Sequence, residues 1–162
     1  MEALVLVDIQ NDFLPGGALP VPDGDEVIPV ANALMDHFEL VLATADWHPR
    51  GHVSFADSHP GHEPGETITV GGVEQFLWPP HCIQDTPGAA FPDALNTDGV
   101  DRVVRKGRHR ELDSYSGFFD NARRGATELE DLLRQKGVSR VYLCGWRPMS
   151  ASAPPPSTPA TS

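Results

Sequence analysis

A chain of 162 residues, 40% hydrophobic and 22% charged, has the size and balance of one globular domain. Its formal net charge of −11 argues against nucleic acid or an anionic membrane surface as partner. No apolar run reaches the ~18 residues of a membrane span, Glu2 stands where a secretory leader would carry basic residues, and the two cysteines, Cys82 and Cys144, make no disulfide framework, so a cytoplasmic protein is expected.

In chain order, Ala3–Ile9 (ALVLVDI) is an apolar run with little alternation, the pattern of a strand covered on both faces. Over Asp25–Phe38 the apolar residues Val27, Val30, Ala31, Leu34 and Phe38 form a helical stripe. Leu40–Ala45 (LVLATA) reads as a second buried strand. Trp47–Asn96 is rich in Gly, Pro and His and shows no clear periodicity, and a stretch of that length in a compact domain is usually functional. Arg102–Lys106 is a third strand. Ala126–Lys136 is an amphipathic helix with Leu129, Leu132 and Leu133 on one face and Gly137 as its C-cap, and Val138–Gly145 is a fourth strand. This alternation predicts an α/β protein with a central parallel sheet, whose ligands sit beyond the carboxyl ends of the strands.

Three chemically loaded stretches fall at those ends: DIQNDF, DWH and RKG. Asp8 is either a turn carboxylate or a site residue at the end of the first strand. Asp46 and His48, two apart in an extended segment, share one side of the chain, and a carboxylate with an imidazole suits a divalent transition metal. His81, in WPPHC, sits on an approach stiffened by Pro79 and Pro80 and offers a third ligand. His52, His59 and His62 lie in the same long segment, so histidine abundance alone does not choose the ligands. Lys106 either snorkels to the surface or stands as a cation beside Asp8. Phe13, Trp78 and Tyr115 either wall a flat aromatic substrate or belong to the core.

Taken together, VDIQNDFLPGGALPV, ATADWHPRGHVSFA, WPPHCIQDTPGAAF and RKG followed by DSYSGFFDN resemble the nicotinamidases (pyrazinamidases) of the isochorismatase-like cysteine hydrolases. The resemblance runs in order from residue 3 to residue 145. It implies a Rossmann-like, isochorismatase-like hydrolase fold, here truncated after the fourth strand. The implied activity is that of a metal-dependent cysteine amidohydrolase that converts nicotinamide to nicotinate and ammonia in NAD salvage, with pyrazinamide as a second substrate. It also implies roles: Asp8 as catalytic acid and base with Lys106 beside it; Asp46, His48 and His81 as ligands of one divalent ion (Zn, Fe or Mn); Phe13, Trp78 and Tyr115 around the substrate ring; and His52 as a further ligand in some relatives. The chemistry is coherent, because a thiolate attacks an amide carbonyl that water does not, and backbone N–H groups near it stabilise the oxyanion. The alternatives are a non-catalytic metal- or small-molecule-binding remnant, or another amide hydrolase of the superfamily. The sequence leaves open whether the protein is a homo-oligomer.

The resemblance places the nucleophilic cysteine just past the fourth strand, in a segment like GLATDxC. This chain has GWRPMSAS there. A coding sequence GGC TGG CGA CCG ATG TCT GCG TCC GC encodes GWRPMSASA, and one C inserted after GGC makes it encode GLATDVCVR. The expected organisation is therefore a hydrolase domain over residues 1–145 and a non-native, disordered tail over 146–162 that is an out-of-frame read. The chain as written is expected to be inactive and poorly soluble, with its fourth strand an open apolar edge.

Overall fold

The computed structural model describes residues 1–111, 113 and 128–145. Among the described residues the strands and α-helices are, in chain order, β1 (Glu2–Val7), α1 (Val27–Met35), β2 (Val41–Asp46), β3 (Thr67–Val70), β4 (Val73–Phe76), β5 (Arg102–Lys106), α2 (Glu128–Gln135) and β6 (Arg140–Gly145). Four strands form one parallel sheet in the order β5-β2-β1-β6, and β3 and β4 pair antiparallel in a small separate hairpin.

The unbroken apolar run of β1 is explained by a helix on each face of the sheet. Leu4, Leu6, Val41, Ala43 and Cys144 share one buried cluster with Ile28, Ala31 and Met35 of α1. Ala3, Val5, Leu42 and Val104 face the other way, into a cluster with Leu129 and Leu133 of α2. Alternate residues of each strand thus serve opposite cores, and each fully buried Leu, Val or Ile contributes about 1.5–3 kcal/mol of hydrophobic stabilisation.

The helices differ in detail from the sequence reading. On α1 the buried positions are Ile28, Ala31 and Met35, while Val30, expected on the inner stripe, is 53% exposed. The apolar density of this helix outruns its core contact, so counting hydrophobic residues overestimates the buried face. Pro29 is tolerated because it lies in the first turn, where an N–H would have no helical partner. On α2 Leu129 and Leu133 are buried, and Gly137 takes the left-handed conformation (φ 66°) that a helix C-terminus demands. Residues 126 and 127 of the expected helix lie outside the described residues.

The long segment after β2 is not without regular structure, contrary to expectation. Its TITVGGVEQF stretch folds into the β3–β4 hairpin, turning on Gly71 and Gly72 with φ of 57° and 84°. Two successive positive φ values suit the tight turn that matches strand twist, so the Gly-Gly pair was a hairpin signal in its own right.

Among the described residues β6 pairs only with β1, and Val141, Tyr142 and Leu143 are exposed on it. No helix among the described residues is long and apolar enough to cross a membrane.

Candidate active site

Parallel register brings the polar residues of the three chemically loaded stretches to one end of the sheet. Asp46 and Lys106 are register partners on adjacent strands β2 and β5, so their side chains leave the sheet on the same side. The β1–β2 ladder stops at Val7 opposite Thr44, two residues before β2 ends at Asp46, and Asp8 follows in a left-handed conformation (φ 52°). That turn of the backbone swings Asp8 toward β2, where its carboxylate accepts a hydrogen bond from Thr44 Oγ1 at 2.7 Å. Lys106 Nζ lies 3.0 Å from Asp8 Oδ2 and donates a short hydrogen bond to Asp46 Oδ1. All three are buried, at 5–7% exposure.

One ammonium thus stands between two carboxylates. Burial raises the Asp8 carboxyl; Lys106 opposes this and Asp46 adds to it, leaving Asp8 above its ordinary value. Burial acts the same way on Asp46, but Lys106, His48 and His81 outweigh it and hold that carboxyl well below the usual range. Burial alone would discharge Lys106, yet the two carboxylates keep its ammonium charged and push its pKa up. The two acids therefore differ in character: the Asp46 carboxyl is lowered and the Asp8 carboxyl is raised.

The other oxygen of Asp46 faces two imidazoles. His48 Nε2 is 3.7 Å and His81 Nε2 4.0 Å from Asp46 Oδ2, and the potential ligand atoms of the three residues all lie within 4.8 Å of one another. The opposite ring nitrogens are engaged. His48 Nδ1 donates to the Gly107 carbonyl at 3.0 Å and His81 Nδ1 to the Pro79 carbonyl at 2.8 Å. Carbonyl partners fix the proton on Nδ1 and leave both Nε2 lone pairs directed at the cluster, the usual arrangement behind a metal-bound histidine. This donor set fits a divalent transition metal. His48 binds a proton more readily than usual because the Asp46 carboxylate outweighs burial, whereas burial lowers His81. A metal would occupy the place of that proton, so its affinity falls with acidity.

Gly107 shows how closely this site is packed. It follows Lys106 with φ 64°, and a Cβ placed on it would lie 2.3 Å from His48 Cε1. Gly107→Ala is expected to displace the His48 ring and cost about 1–3 kcal/mol from backbone strain alone, read as a lowered melting temperature together with weaker zinc binding. A variant that melts and binds zinc like the parent would mean that the ring has room to move.

The aromatic residues divide. Phe13 is buried, and its ring centroid lies 5.5 Å from that of His81. Trp78 packs on Phe76, with ring centroids 4.4 Å apart, and its backbone is tied to Ser54 and Ala56. Tyr115 lies outside the described residues. Phe55, which the sequence reading missed, is fully buried, and its ring contacts His48, His52 and His81 at centroid distances of 5.5–5.6 Å. His52 stacks against His48 at 4.2 Å and shares a hydrogen bond of 2.7 Å between its Nδ1 and Ser54 Oγ. His59 bonds to the Val53 carbonyl and His62 to Glu66, away from the cluster. Two further buried polar residues were also missed. Gln75 donates to Asp113 Oδ2 at 2.9 Å, and the Asp113 carboxylate helps keep His48 basic.

Neither thiol resembles a nucleophile. Cys82 is fully buried and burial, with the nearby carboxylates, pushes its pKa far up. Cys144 points into the α1 side of the core and is raised by burial. Both thiols stay protonated at neutral pH.

Comparison with known proteins matches this geometry to a family. The isochorismatase domain spans residues 2–147. The nicotinamidase of Acinetobacter baylyi is 43% identical over 143 residues, which are 88% of this chain and 67% of that protein. A solved nicotinamidase/pyrazinamidase of Acinetobacter baumanii superimposes with a TM-score of 0.85 at 46% identity, covering 88% of this chain and 69% of that one. The pyrazinamidase of Pyrococcus horikoshii, solved in complex with zinc, superimposes with a TM-score of 0.69 at 42% identity, covering 90% and 70%. With identity of this order along nearly its whole described length, the chain belongs to the isochorismatase domain family, among its nicotinamidases.

Proposed function

We propose that this chain carries the metal-binding and acid–base part of a nicotinamidase, which hydrolyses nicotinamide to nicotinate and ammonia and takes pyrazinamide as a second substrate. The observation that carries the proposal is the single buried ammonium of Lys106, shared between Asp8 and Asp46. It couples a proton-exchanging carboxyl to a ligand carboxylate within one water-poor pocket. Asp46, His48 and His81 would hold a divalent metal, which when bound supplies a Lewis acid for the ring nitrogen of the substrate. Phe13, Trp78 and Tyr115 are assigned to the ring's surroundings. Asp8, raised by burial and by Asp46, would take the proton of the attacking thiol and return it to the leaving ammonia. Lys106 opposes the rise that burial and Asp46 impose on the Asp8 carboxyl.

The thiol itself is not among the residues described. We assign it to the codons after Gly145, read in the frame restored by one inserted C, which makes residues 1–145 the domain and 146–162 an out-of-frame read. Metal dependence and a cytoplasmic setting belong to the same reading. The test is to sequence the gene across the codons for Leu143 to Met149, then to measure ammonia release by both the sequence as given and the frame-restored chain. Ammonia from nicotinamide and pyrazinamide is expected from the restored chain alone. A restored frame without cysteine, or one with cysteine and zinc but no ammonia release, would overturn the proposal.

A further inference from the structure

Gln10 and Asp12 lie between the two site residues assigned to the first loop, Asp8 and Phe13, and the proposed chemistry uses neither of them. Their side chains nevertheless reach the two strands of chain that hold the metal cluster. β1 leaves the sheet at Asp8, which ends its ladder with β2 at Thr44 and leaves the backbone of Asp46 without a strand neighbour on that side. The side-chain amide of Gln10 takes the neighbour's place. Its Oε1 accepts from the Asp46 N–H at 2.8 Å, and its Nε2 donates to the Asp46 carbonyl at 2.8 Å and to the Ala89 carbonyl at 2.8 Å. Gln10 is fully buried.

Asp12 does the same for the other half. Its Oδ2 accepts from the Cys82 N–H at 2.7 Å. Cys82 follows His81 directly and sits at φ 45°, a conformation that few residues other than glycine adopt unless held. Gly88 packs onto this carboxylate so closely that a Cβ there would come within 2.2 Å of Asp12 Oδ2. Asn11 adds a hydrogen bond from its Nδ2 to the Pro87 carbonyl at 2.9 Å.

We infer that Gln10 and Asp12 are positioning residues for the metal centre: Gln10 fixes the backbone that carries Asp46, Asp12 fixes the strained turn that carries His81, and the loop after β1 thereby sets the distance between ligands it does not itself provide. The inference rests on the reading of Asp46, His48 and His81 as a metal site. Ligand atoms now 3.7–4.0 Å apart must converge on one ion, so a shift of either segment opens the cluster.

The test measures zinc affinity of the full chain by competition with a chromophoric chelator, alongside the melting temperature of the metal-free protein. Gln10→Ala and Asp12→Ala are expected to bind zinc about 10–100-fold more weakly, the usual cost of losing an outer partner of a metal ligand. Asp12→Asn keeps the acceptor for the Cys82 N–H and is expected to retain the parent affinity. Asn32→Ala is the control, since it also removes an amide that bridges loop backbone, donating to the Ala94 carbonyl at 2.9 Å and accepting from the Asn96 N–H at 2.8 Å, but far from the cluster. It should lower melting and leave zinc affinity alone. If the parent binds zinc and His81→Ala does not, yet Gln10→Ala and Asp12→Ala bind like the parent while melting lower, the two residues are merely structural and the inference is overturned. A parent that binds no zinc overturns the metal reading itself, and this inference with it. Should Gln10→Ala fail to fold, the contrast between Asp12→Ala and Asp12→Asn decides.

Discussion

Lys106→Met is expected to destabilise the metal-free protein by about 3–5 kcal/mol, the cost of removing one partner from a buried charge cluster. Methionine keeps most of the volume of the lysine stem, so the change isolates the charge. In the parent, one ammonium compensates two carboxylates that are buried to within a tenth of full burial. Without it, Asp8 and Asp46 face each other with only Thr44 and the imidazoles to satisfy them. The melting temperature should fall by on the order of 10 °C. The dependence on pH has a definite sign. Unpaired buried carboxyls bind protons more readily in the folded chain than in the unfolded one, so stability rises as pH falls. The deficit relative to the parent should be largest at neutral and alkaline pH and shrink toward acid. Thermal melts of parent and variant in chelator across that range check it. A variant that melts with the parent at neutral pH would mean that the carboxylates reach water or share a proton, and that Lys106 does not hold the site together.

His48→Ala and His81→Ala carry the second large effect. Each removes one of three clustered ligands, and with it a share of a binding free energy that reaches about 10–16 kcal/mol in full four-ligand zinc sites. A quarter share corresponds to roughly a 100-fold loss of zinc affinity for each variant, or more. His59→Ala, whose imidazole bonds to the Val53 carbonyl outside the cluster, should bind zinc as the parent does. Equal zinc affinity in all three variants would remove the basis for the metal assignment. The chelator competition that tests Gln10 and Asp12 serves here too, and the same variants should show no loss of folding larger than a buried polar deletion explains.

Much of this was readable beforehand, for reasons that particular residues make clear. The strands β1 and β2 are short runs dominated by Val, Leu and Ala and bounded by polar residues, the signature of strands covered on both faces, whereas β5 (RVVRK) lies at the end of the sheet order with only Val104 and Lys106 buried. Asp8, Asp46 and Lys106 could be named because each closes a strand, and strand ends are where an α/β sheet places its chemistry. The β3–β4 hairpin was lost in a stretch dominated by Gly, Pro and His, although its Gly-Gly turn was in view. A helical stripe read from hydrophobicity puts Val30 inside, whereas the face of α1 on the sheet is Ile28, Ala31 and Met35, flanked by the partly buried Val27 and Leu34.

The sequence by itself determined the chemistry available: which carboxylates, imidazoles and amine exist, that they cluster at strand ends, and that the two thiols fall elsewhere. Those properties are local, set by residue type and by spacing along a strand. Only the tertiary structure decided how they are used. That Lys106 serves two acids at once follows from the register of β2 against β5, a pairing across 60 residues. That the Asp8 carboxyl is raised while the Asp46 carboxyl is lowered follows from Asp46 having the imidazoles of His48 and His81 beside it as well as Lys106, in surroundings where burial magnifies every such difference. That Gln10, Asp12 and Phe55 matter at all follows from contacts with residues remote in the chain, which no spacing along a single sequence encodes.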